Sequence, residues 1–470
     1  MADQGVAVTA GLVAQVTAGR LVSGDPGTRI DGFSIDTRTL AAGDLFFAIR
    51  GERFDGAVFA QAAVGAGACG LVVGGQPAVT GAAGRTPIVI VVNDAIEALQ
   101  ALGAYVRRAS GTRVVAITGS AGKTTTKEAT AEVLSARYRV FRTRGNLNNH
   151  IGLPLSLLEL RHGPEVAVLE LAMNHAGEIR KLVGLAEPDV RVWTNVGDAH
   201  LGFFASVDAL ADAKAEILEG ASRDTVLVAN ADDPLVMARA ARFAGRTLTF
   251  AVGRPADVSA RAVRDLGLDG TAATIAVGAH EVDVRVPLPG RGNLANALAA
   301  MTVGLHFDVP AGEMAERIAR LQPAPHRGQV LRLAGGVTVV DDSYNASPSA
   351  VQQALVFVAQ ETRCARRIAV LGEMLELGAQ AVPLHERCGR AAAAAGLDRL
   401  VAVGGEPARA LAAAATAAGM PAAAVQYVPT SAEAADAVMA LARPGDLVLV
   451  KGSRGIGTDR VVSRLQAEFA

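Results

Sequence analysis

The fold of this chain is decided by the stretch Ile117-Thr118-Gly119-Ser120-Ala121-Gly122-Lys123-Thr124-Thr125. An apolar run ending at Ile117 precedes the two glycines, and a segment with helical periodicity extends from Thr125 to Tyr138. We therefore predict a strand, a phosphate-binding loop and a helix, so that backbone N–H groups and the positive end of the helix dipole face a polyphosphate. In such a loop Lys123 contacts the outer phosphates and the Thr124 hydroxyl binds Mg²⁺.

The match to the general P-loop pattern is partial. That pattern has a glycine at the position where this chain has Ile117. A strand-to-helix turn that merely contains glycines is the alternative interpretation. The order of strand, glycines, Lys-Thr and helix favours nucleotide binding. Phosphate contacts are expected from Gly119, Ser120, Ala121, Gly122, Lys123, Thr124 and Thr125.

Length and composition restrict the class of protein. A chain of 470 residues is too long for one ordinary core and suggests about three domains. The net charge of -1 and the aromatic content of 4% argue against a nucleic-acid-binding surface. Cys69, Cys364 and Cys388 are odd in number and lack metal-ligand spacing, which argues against a disulfide framework or a zinc site.

Targeting signals are not predicted. Asp3 stands where a signal peptide is basic, and no long apolar region follows it. The alanine-rich segment 411–425 is interrupted by Gly419 and Pro421, so we predict a helix of a soluble protein there and no membrane span. These features predict a cytoplasmic protein.

Residues 1–110 are predicted to form a small N-terminal α/β domain. Its expected elements are strands at 30–35, 45–49 and 71–73 and helices at 57–66 and 95–108. Hydroxyls, a carboxylate and a guanidinium follow the first of these strands in the sequence Ser34-Ile35-Asp36-Thr37-Arg38. This cluster is either a solvated turn or a site where Arg38 binds an anionic ligand with Thr37 hydrogen bonding beside it.

A second domain, residues 111–321, is predicted around the P-loop. The loop Asn146-Leu147-Asn148-Asn149 supplies amide donors that suit an oxyanion or a phosphate, although such turns are also common structure. Glu170 ends an apolar strand, where a buried carboxylate needs a partner such as magnesium. The strand 190–196 is followed by His200, and ligands bind beyond the carboxyl ends of parallel strands. Glu170 and His200 would each be structural if taken singly, but together they predict a metal site.

Three further polar residues leave alternatives open. Lys214 lies on a predicted helix at 210–218, and sequence spacing alone does not distinguish it from a solvated lysine. Asn293 and Asn296 lie one turn apart at the start of a predicted helix. Asn293 is expected to cap that helix and Asn296 to face a ligand.

Residues 322–470 are predicted to form a Rossmann-like domain after the proline-marked linker 322–328. It is doubly wound, with strands expected at 337–341, 367–371, 400–403 and 447–450 and a helix at 384–395. No Gly-x-Gly-x-x-Gly loop is present, so this domain is not predicted to bind a dinucleotide of its own. The whole prediction is an α/β protein in which a central P-loop-type parallel sheet is flanked by two other domains.

These motifs occur in an order that resembles the Mur ligase family across residues 30–460. The resemblance is carried by the P-loop, residues 146–154, Glu170, residues 195–200, residues 214–217, Asn293 with Asn296, and residues 342–346. Within the family, residues 344–348, residues 371–378 with His385, and residues 451–455 are similar to the members that add D-alanyl-D-alanine. The Asp-Asn-Pro-Arg signature of diaminopimelate-adding members is absent.

The resemblance implies an ATP-dependent amide ligase. Its reaction would join the terminal carboxylate of UDP-MurNAc-tripeptide to the amine of D-Ala-D-Ala through an acyl phosphate, which forms the pentapeptide precursor of peptidoglycan. Two Mg²⁺ ions are implied, with Thr124 and Glu170 at one and His200 at the other. Lys214 matches a lysine that is carbamylated in the family and then supports the second ion.

Other site residues are also implied by the resemblance. The expected catalytic set is Lys123, Asn149, Glu170, His200, Lys214 and Arg327. Asn293 and Asn296 would contact adenine, Asp342 the ribose and Arg327 the γ-phosphate. Expected substrate contacts are Ser34, Asp36, Thr37 and Arg38 at the UDP moiety, together with Tyr344 and Asn345. The histidine that the family commonly has before Asn293 is replaced here by Gly292.

Two alternatives stay open, and only the first of them would share the central domain. One is another amino-acid ligase of the Mur or folylpolyglutamate synthase type. The other is a P-loop ATPase that hydrolyses ATP without an acceptor. Neither a nucleic acid nor a membrane is an expected partner, and a monomer is expected.

Overall fold

The computed structural model describes residues 5–51, 55–75, 86–198 and 201–470, and these residues form three sheets that follow one another along the chain. Helices cover the sheets, most of whose neighbouring strands are parallel. This architecture confirms the predicted α/β class, with a P-loop sheet between a smaller N-terminal unit and a Rossmann-like C-terminal unit.

The N-terminal unit is a small sheet with helices packed on it. Its elements are α1 (Ala10–Val16), β1 (Arg20–Ser23), β2 (Gly32–Ser34), β3 (Asp44–Phe47), α2 (Ala60–Gly65), β4 (Gly70–Val73), β5 (Ile88–Val91) and α3 (Ala95–Ser110). The strand order is β1-β5-β4-β3-β2, and β1 runs antiparallel to β5. The sequence prediction missed α1, β1 and β5, because short apolar runs carry too little periodicity to identify them.

The central unit carries the P-loop. Its elements are β6 (Arg113–Thr118), α4 (Lys123–Leu134), β7 (Val140–Arg142), α5 (Gly152–Leu158), β8 (Val166–Glu170), α6 (Glu178–Ala186), β9 (Val190–Trp193), α7 (Val207–Ala215), β10 (Val226–Asn230), α8 (Pro234–Ala240), β11 (Arg246–Ala251), β12 (Val258–Asp265), β13 (Thr271–Val277), β14 (His280–Val286), α9 (Arg291–His306) and α10 (Ala311–Ile318). The strand order is β14-β13-β12-β11-β10-β9-β6-β8-β7, and only the β12–β13 and β13–β14 pairs within it are antiparallel among the described residues.

The order of strands brings the predicted site residues together. Strand β6 lies between β8 and β9, and all three are parallel. Their carboxyl ends therefore meet at one edge of the sheet, where the P-loop, Glu170 and the residues after Trp193 are neighbours.

The P-loop helix differs in its limits from the predicted segment 125–138. It begins at Lys123, because Gly122 adopts a left-handed conformation and serves as its N-cap. It ends at Leu134, and the backbone N–H groups of Arg137 and Tyr138 then turn back onto the Leu134 carbonyl. Tyr138 lies beyond the helix and donates a hydrogen bond to the carbonyl of Phe307.

The C-terminal unit is a doubly wound sheet. Its elements are β15 (Gln329–Arg332), β16 (Thr338–Asp342), α11 (Pro348–Gln360), β17 (Arg367–Gly372), α12 (Ala381–Ala394), β18 (Arg399–Val403), α13 (Glu406–Ala417), β19 (Val425–Val428), α14 (Ser431–Leu441), β20 (Leu447–Lys451) and α15 (Asp459–Glu468). The strand order is β15-β16-β20-β17-β18-β19, with β15 antiparallel to β16. The alanine-rich segment is only partly helical, because α13 ends before Gly419, whose φ is +106°, and β19 begins at Val425.

The first two units share one apolar core. It extends from Val8 and Leu99 in the N-terminal unit to Leu157 and Leu182 in the central unit. The C-terminal sheet is covered by cores of its own on its two faces, around Leu371 and Val370. Across the described ranges we find no helix that is both long and apolar enough to cross a membrane.

Candidate active site

The P-loop has the conformation that its two glycines allow. Gly119 has a φ of +148°, and a Cβ there would lie 2.0 Å from Thr194 Oγ1. Gly122 has a φ of +81°, and its Cβ would lie 2.2 Å from Asn296 Oδ1. No side chain caps the N-terminus of α4 among the described residues, so the N–H groups of its first turn remain available to phosphate oxygens.

Lys123 lies at the start of this helix. Its Nζ donates a hydrogen bond to the Gly119 carbonyl at 2.8 Å, and the Ser120 carbonyl is 3.4 Å away. Burial lowers the pKa of Lys123, with Glu170 opposing this shift and the positive charge of Arg327 adding to it. The influence of Arg327 is informative because this residue belongs to the segment that enters the C-terminal sheet.

Glu170 lies next to Thr124, as the metal-site hypothesis requires. Its Oε2 accepts a hydrogen bond from Thr124 Oγ1, and its Oε1 accepts one from Asn148 Nδ2, each at 2.8 Å. Glu170 is only 3% exposed. A hydroxyl and a buried carboxylate beside a phosphate loop fit Mg²⁺, which is usually bound by one or two carboxylates together with substrate phosphates. Within the described ranges no group of three or more His, Cys, Asp and Glu side chains forms a metal site by itself.

Lys214 is buried and not solvated. It is 2% exposed, and its ammonium has no hydrogen-bond or ion-pair partner among the described residues. Burial lowers the pKa of Lys214 well below that of an ordinary lysine, and the charge of Lys123 lowers it further. The influence of Lys123 on Lys214 indicates that the α7 lysine lies near the phosphate loop.

The polar tips of β16 and β20 lie side by side, because Asp342 and Lys451 are register partners. Lys451 Nζ donates to Asp342 Oδ2 at 2.5 Å and to the carbonyl of Asn345 at 3.0 Å. Next to them, the guanidinium of Arg327 lies 4.1 Å from the centre of the Tyr344 ring, and that of Arg454 lies 5.4 Å from it. Three cations therefore line this part of the C-terminal unit.

The expected cap at Asn293 is wrong. Helix α9 begins at Arg291 with Gly290 as its N-cap, so Asn293 already lies within the first turn. Its Nδ2 donates to the Pro289 carbonyl, and its Oδ1 accepts from Asn296 Nδ2. Asn296 is buried and accepts a hydrogen bond from Thr126, so it contacts the P-loop helix directly.

Other predicted residues are placed as follows. Asn149 binds the backbone at the start of α5, since its Oδ1 accepts from the N–H groups of Ile151 and Gly152. His200 lies outside the described residues. Ser34, Asp36 and Arg38 bond within their own turn, where Arg38 forms a forked ion pair with Asp36 and lowers the pKa of Asp36 to about 2. Thr37 belongs to the same turn and is half-buried.

Sequence reasoning missed two residues of the site. Asn148 binds Glu170, and the run of asparagines signalled the region without identifying which amide turns inward. Asn195 clamps the loop, because its Oδ1 accepts from Ala121 N at 2.9 Å while its Nδ2 donates to the Ala121 carbonyl at 3.0 Å. Its position after β9 was visible in the sequence, but its partner depends on the strand order.

The fold and this site define a nucleotide-binding enzyme of the P-loop class with two flanking domains. Family models match three consecutive parts of the chain: the catalytic domain of the Mur ligase family at 29–109, the Mur ligase middle domain at 117–304 and the Mur ligase glutamate ligase domain at 326–454. The chain belongs to the Mur ligase family, which confirms the resemblance noted in its motifs.

Individual relatives agree along almost the whole chain. A UDP-N-acetylmuramoyl-tripeptide--D-alanyl-D-alanine ligase of Bacillus subtilis is 34% identical over 93% of both chains. A crystal structure of MurF from Acinetobacter baumannii superposes with a TM-score of 0.87 at 31% identity, covering 99% of this chain and 100% of the other. MurF ligase from Thermotoga maritima, crystallised in complex with ADP, gives a TM-score of 0.79 at 29% identity and covers 94% and 98% of the two chains.

Proposed function

We propose that this chain is an ADP-forming ligase that joins D-Ala-D-Ala to UDP-MurNAc-tripeptide and so completes the peptidoglycan precursor. The names of its relatives support this substrate pair, and the ADP complex of the Thermotoga maritima relative supports ATP as the phosphoryl donor. The observation that carries the proposal is the hydrogen bond between Thr124 Oγ1 and Glu170 Oε2 beside the phosphate loop, which supports a magnesium–nucleotide site. Hydrogen bonds from Ser349 and Arg387 to Asp198 support the approach of the C-terminal unit to this site.

The reaction activates a carboxylate that amines do not attack at neutral pH. An oxygen of the tripeptide carboxylate attacks the γ-phosphorus of ATP, and ADP leaves. The amine of the dipeptide then attacks the acyl carbon, phosphate leaves and the nitrogen loses a proton. Lys123 and Arg327 offset the negative charge that gathers when the two anions meet, which is the main contribution a protein makes to phosphoryl transfer.

Thr124 and Glu170 are the proposed ligands of a magnesium ion. A bound ion would screen the phosphates and stabilise the charge that is transferred. The hydrogen bond from Asn148 fixes the orientation of the Glu170 carboxylate, and such supporting contacts tune metal sites. His200 is the proposed ligand of a second ion.

Lys214 is proposed to carry a carbamate. The lowered pKa of Lys214 increases the share of its neutral amine form, and a neutral amine can add to CO₂ with loss of a proton. The product is an anion, and two cationic neighbours, Lys123 and a magnesium ion, would stabilise it. An unmodified ammonium would repel both of them.

Further assignments are proposed from the resemblance to the family. Asn293 and Asn296 are proposed to contact adenine, Asp342 the ribose, and Ser34 to Arg38 the UDP moiety, with Asn149, Tyr344 and Asn345 also near substrates. The proposed domain limits are 1–110, 111–321 and 322–470. A monomer is the proposed active form, and the nucleotide substrates suggest the cytoplasm as its location.

The experiment is an ADP-release assay in which UDP-MurNAc-tripeptide and D-Ala-D-Ala are each present or absent. We expect turnover only with both, and hydroxylamine should trap the acyl phosphate as a hydroxamate. Turnover that needs no acceptor would instead identify a P-loop ATPase. Turnover with a free amino acid in place of the dipeptide would indicate an amino-acid ligase of the folylpolyglutamate type.

A further inference from the structure

We propose that Asp198 is a positioning residue that couples docking of the C-terminal unit to the state of the P-loop. It lies in the segment 194–198, which follows β9 and is named here the β9 loop. The effect of Asp198 on catalysis rests on the proposed function, whereas its effects on shape and nucleotide affinity do not. The coupling depends on contacts that this loop makes in two directions.

Towards the C-terminal unit, Asp198 binds two separate helices. Its Oδ1 accepts hydrogen bonds from Ser349 N at 3.0 Å and from Ser349 Oγ at 2.7 Å. Its Oδ2 accepts one from Arg387 Nη2 at 2.7 Å. The side chain of Asp198 is 15% exposed and that of Arg387 is 43% exposed. The carboxylate is therefore fixed from both oxygens by a domain other than its own.

The contact with α11 supplies something that this helix lacks. Its N-cap residue, Ser347, makes no capping hydrogen bond with its side chain. The Asp198 carboxylate accepts from the first turn instead, and a negative charge at this end of a helix is favoured by the helix dipole. Helix α11 begins at Pro348, shortly after Tyr344 and Asn345.

Towards the P-loop, the other residues of the β9 loop form hydrogen bonds that restrict the movement of this loop. Thr194 Oγ1 donates to the Ala121 carbonyl at 2.8 Å, and Asn195 clamps the peptide of the same residue. Gly197 N donates to Ser120 Oγ at 2.9 Å. Asp198 is therefore adjacent in the chain to Gly197, which contacts the phosphate loop directly.

In this arrangement, docking of the C-terminal unit and the observed conformation of the P-loop favour each other. Docking of α11 and α12 on Asp198 holds Gly197 against Ser120 and thereby favours the loop conformation seen here. By thermodynamic linkage, a nucleotide that prefers this conformation must also favour docking. Neutralising Asp198 should therefore weaken nucleotide binding, although its carboxylate binds Ser349 and Arg387 and is not proposed to contact a phosphate.

The test compares Asp198→Asn, Arg387→Met and the double variant in the full-length protein. Affinity for AMP-PNP with Mg²⁺ is measured by calorimetry, and the radius of gyration by small-angle X-ray scattering. We expect each single variant to bind AMP-PNP about fivefold more weakly and to have a larger radius of gyration, with no further loss in the double variant. In the ligase assay, the KM for ATP should rise while that for UDP-MurNAc-tripeptide stays unchanged.

Arg390→Met is the matched control, because Arg390 lies one turn further along α12 and pairs only with Glu386 of its own helix among the described residues. It should bind AMP-PNP like the wild type. Ser349→Ala removes one hydrogen bond and keeps the backbone donor, so a smaller loss is expected. Wild-type affinity in a folded Asp198→Asn protein, or strictly additive losses in the double variant, would overturn the coupling. A wild type that binds AMP-PNP but joins no substrates would overturn the proposed function alone.

Discussion

At the scale of single residues, burial separates Lys214 from an ordinary surface lysine. Replacing it by alanine removes the group that is proposed to become a carbamate. We expect Lys214→Ala to lose most of the ligase activity while its affinity for AMP-PNP stays within about threefold of the wild type. Added acetate or formate should restore part of the rate, because a small carboxylate can occupy the vacated space. Wild-type activity without any additive would show that this lysine has no part in the reaction.

Lys214 is expected to support the reaction but to destabilise the folded protein. A buried amine whose pKa is lowered destabilises the folded protein most below that pKa, and the cost falls as pH rises towards the ordinary value of 10.5. In CO₂-free buffer, Lys214→Met should therefore have a higher thermal midpoint than the wild type. The difference should shrink from neutral to alkaline pH. A difference that grows with pH would contradict this assignment.

Gly122 tests the geometry of the phosphate loop. An alanine there needs an unfavourable positive φ, and its Cβ would collide with Asn296. We expect Gly122→Ala to abolish measurable AMP-PNP binding, as judged by calorimetry. Gly177 provides the control, because it also caps a helix at a φ of +89° but has open space around it. Gly177→Ala should cost only about 1–2 kcal/mol of stability and leave binding intact.

At the scale of elements, one arginine joins α3 to α6. Arg107 donates to the carbonyls of Ala186 and Glu187 at the end of α6, to the Thr112 carbonyl, and to Asp189. Burial lowers the pKa of Arg107. Removing its guanidinium would leave the buried carbonyls of Ala186 and Thr112 without this donor. The residue thus closes the boundary between the first two units, whose apolar core is shared.

Arg107→Met should lower the free energy of unfolding by about 2–4 kcal/mol, measured by urea denaturation, because it leaves the carbonyls of Ala186 and Thr112 buried without this donor. Arg107→Lys should rescue little of this loss, since an ammonium cannot reproduce the planar fork. The neighbouring Arg108 pairs with Glu187 at an exposed site, and Arg108→Met should cost less than about 1 kcal/mol. Equal losses in the two methionine variants would refute a special role for Arg107.

At the scale of the whole molecule, the C-terminal unit touches the central unit through backbone as well as charge. Gly202 N donates to the Glu376 carbonyl at 2.9 Å, and a Cβ on Gly202 would lie 2.6 Å from Gly378 N. Backbone atoms cannot move aside cheaply, so Gly202→Ala should separate the two units. We expect a larger radius of gyration and at least about a tenfold loss in kcat.

The control for this variant is Gly312→Ala in α10, where the added methyl group meets open space. That change should leave shape and rate unaltered and slightly raise stability, since alanine favours the helix. If Gly202→Ala kept the wild-type radius of gyration and rate, the close approach of the two units would not be needed for the reaction.

The sequence by itself determined the class of fold and the location of the phosphate loop. Apolar strands, glycines at positions of positive φ and the Lys-Thr pair are local features, and local features persist whatever the rest of the chain does. Glu170 was predictable for the same reason, since an acid that ends a buried strand needs a partner. The order of the motifs was enough to indicate the family.

Tertiary structure alone decided the environment of each side chain. The burial of Lys214, the choice of Asn148 over its neighbours, the displacement of Asn293 from the cap and the attachment of Asp198 to another domain all depend on residues distant in sequence. Strand order brings such residues together, and no periodicity in the sequence encodes that order. Burial and charge at the site therefore follow from the assembled sheets and not from any one segment.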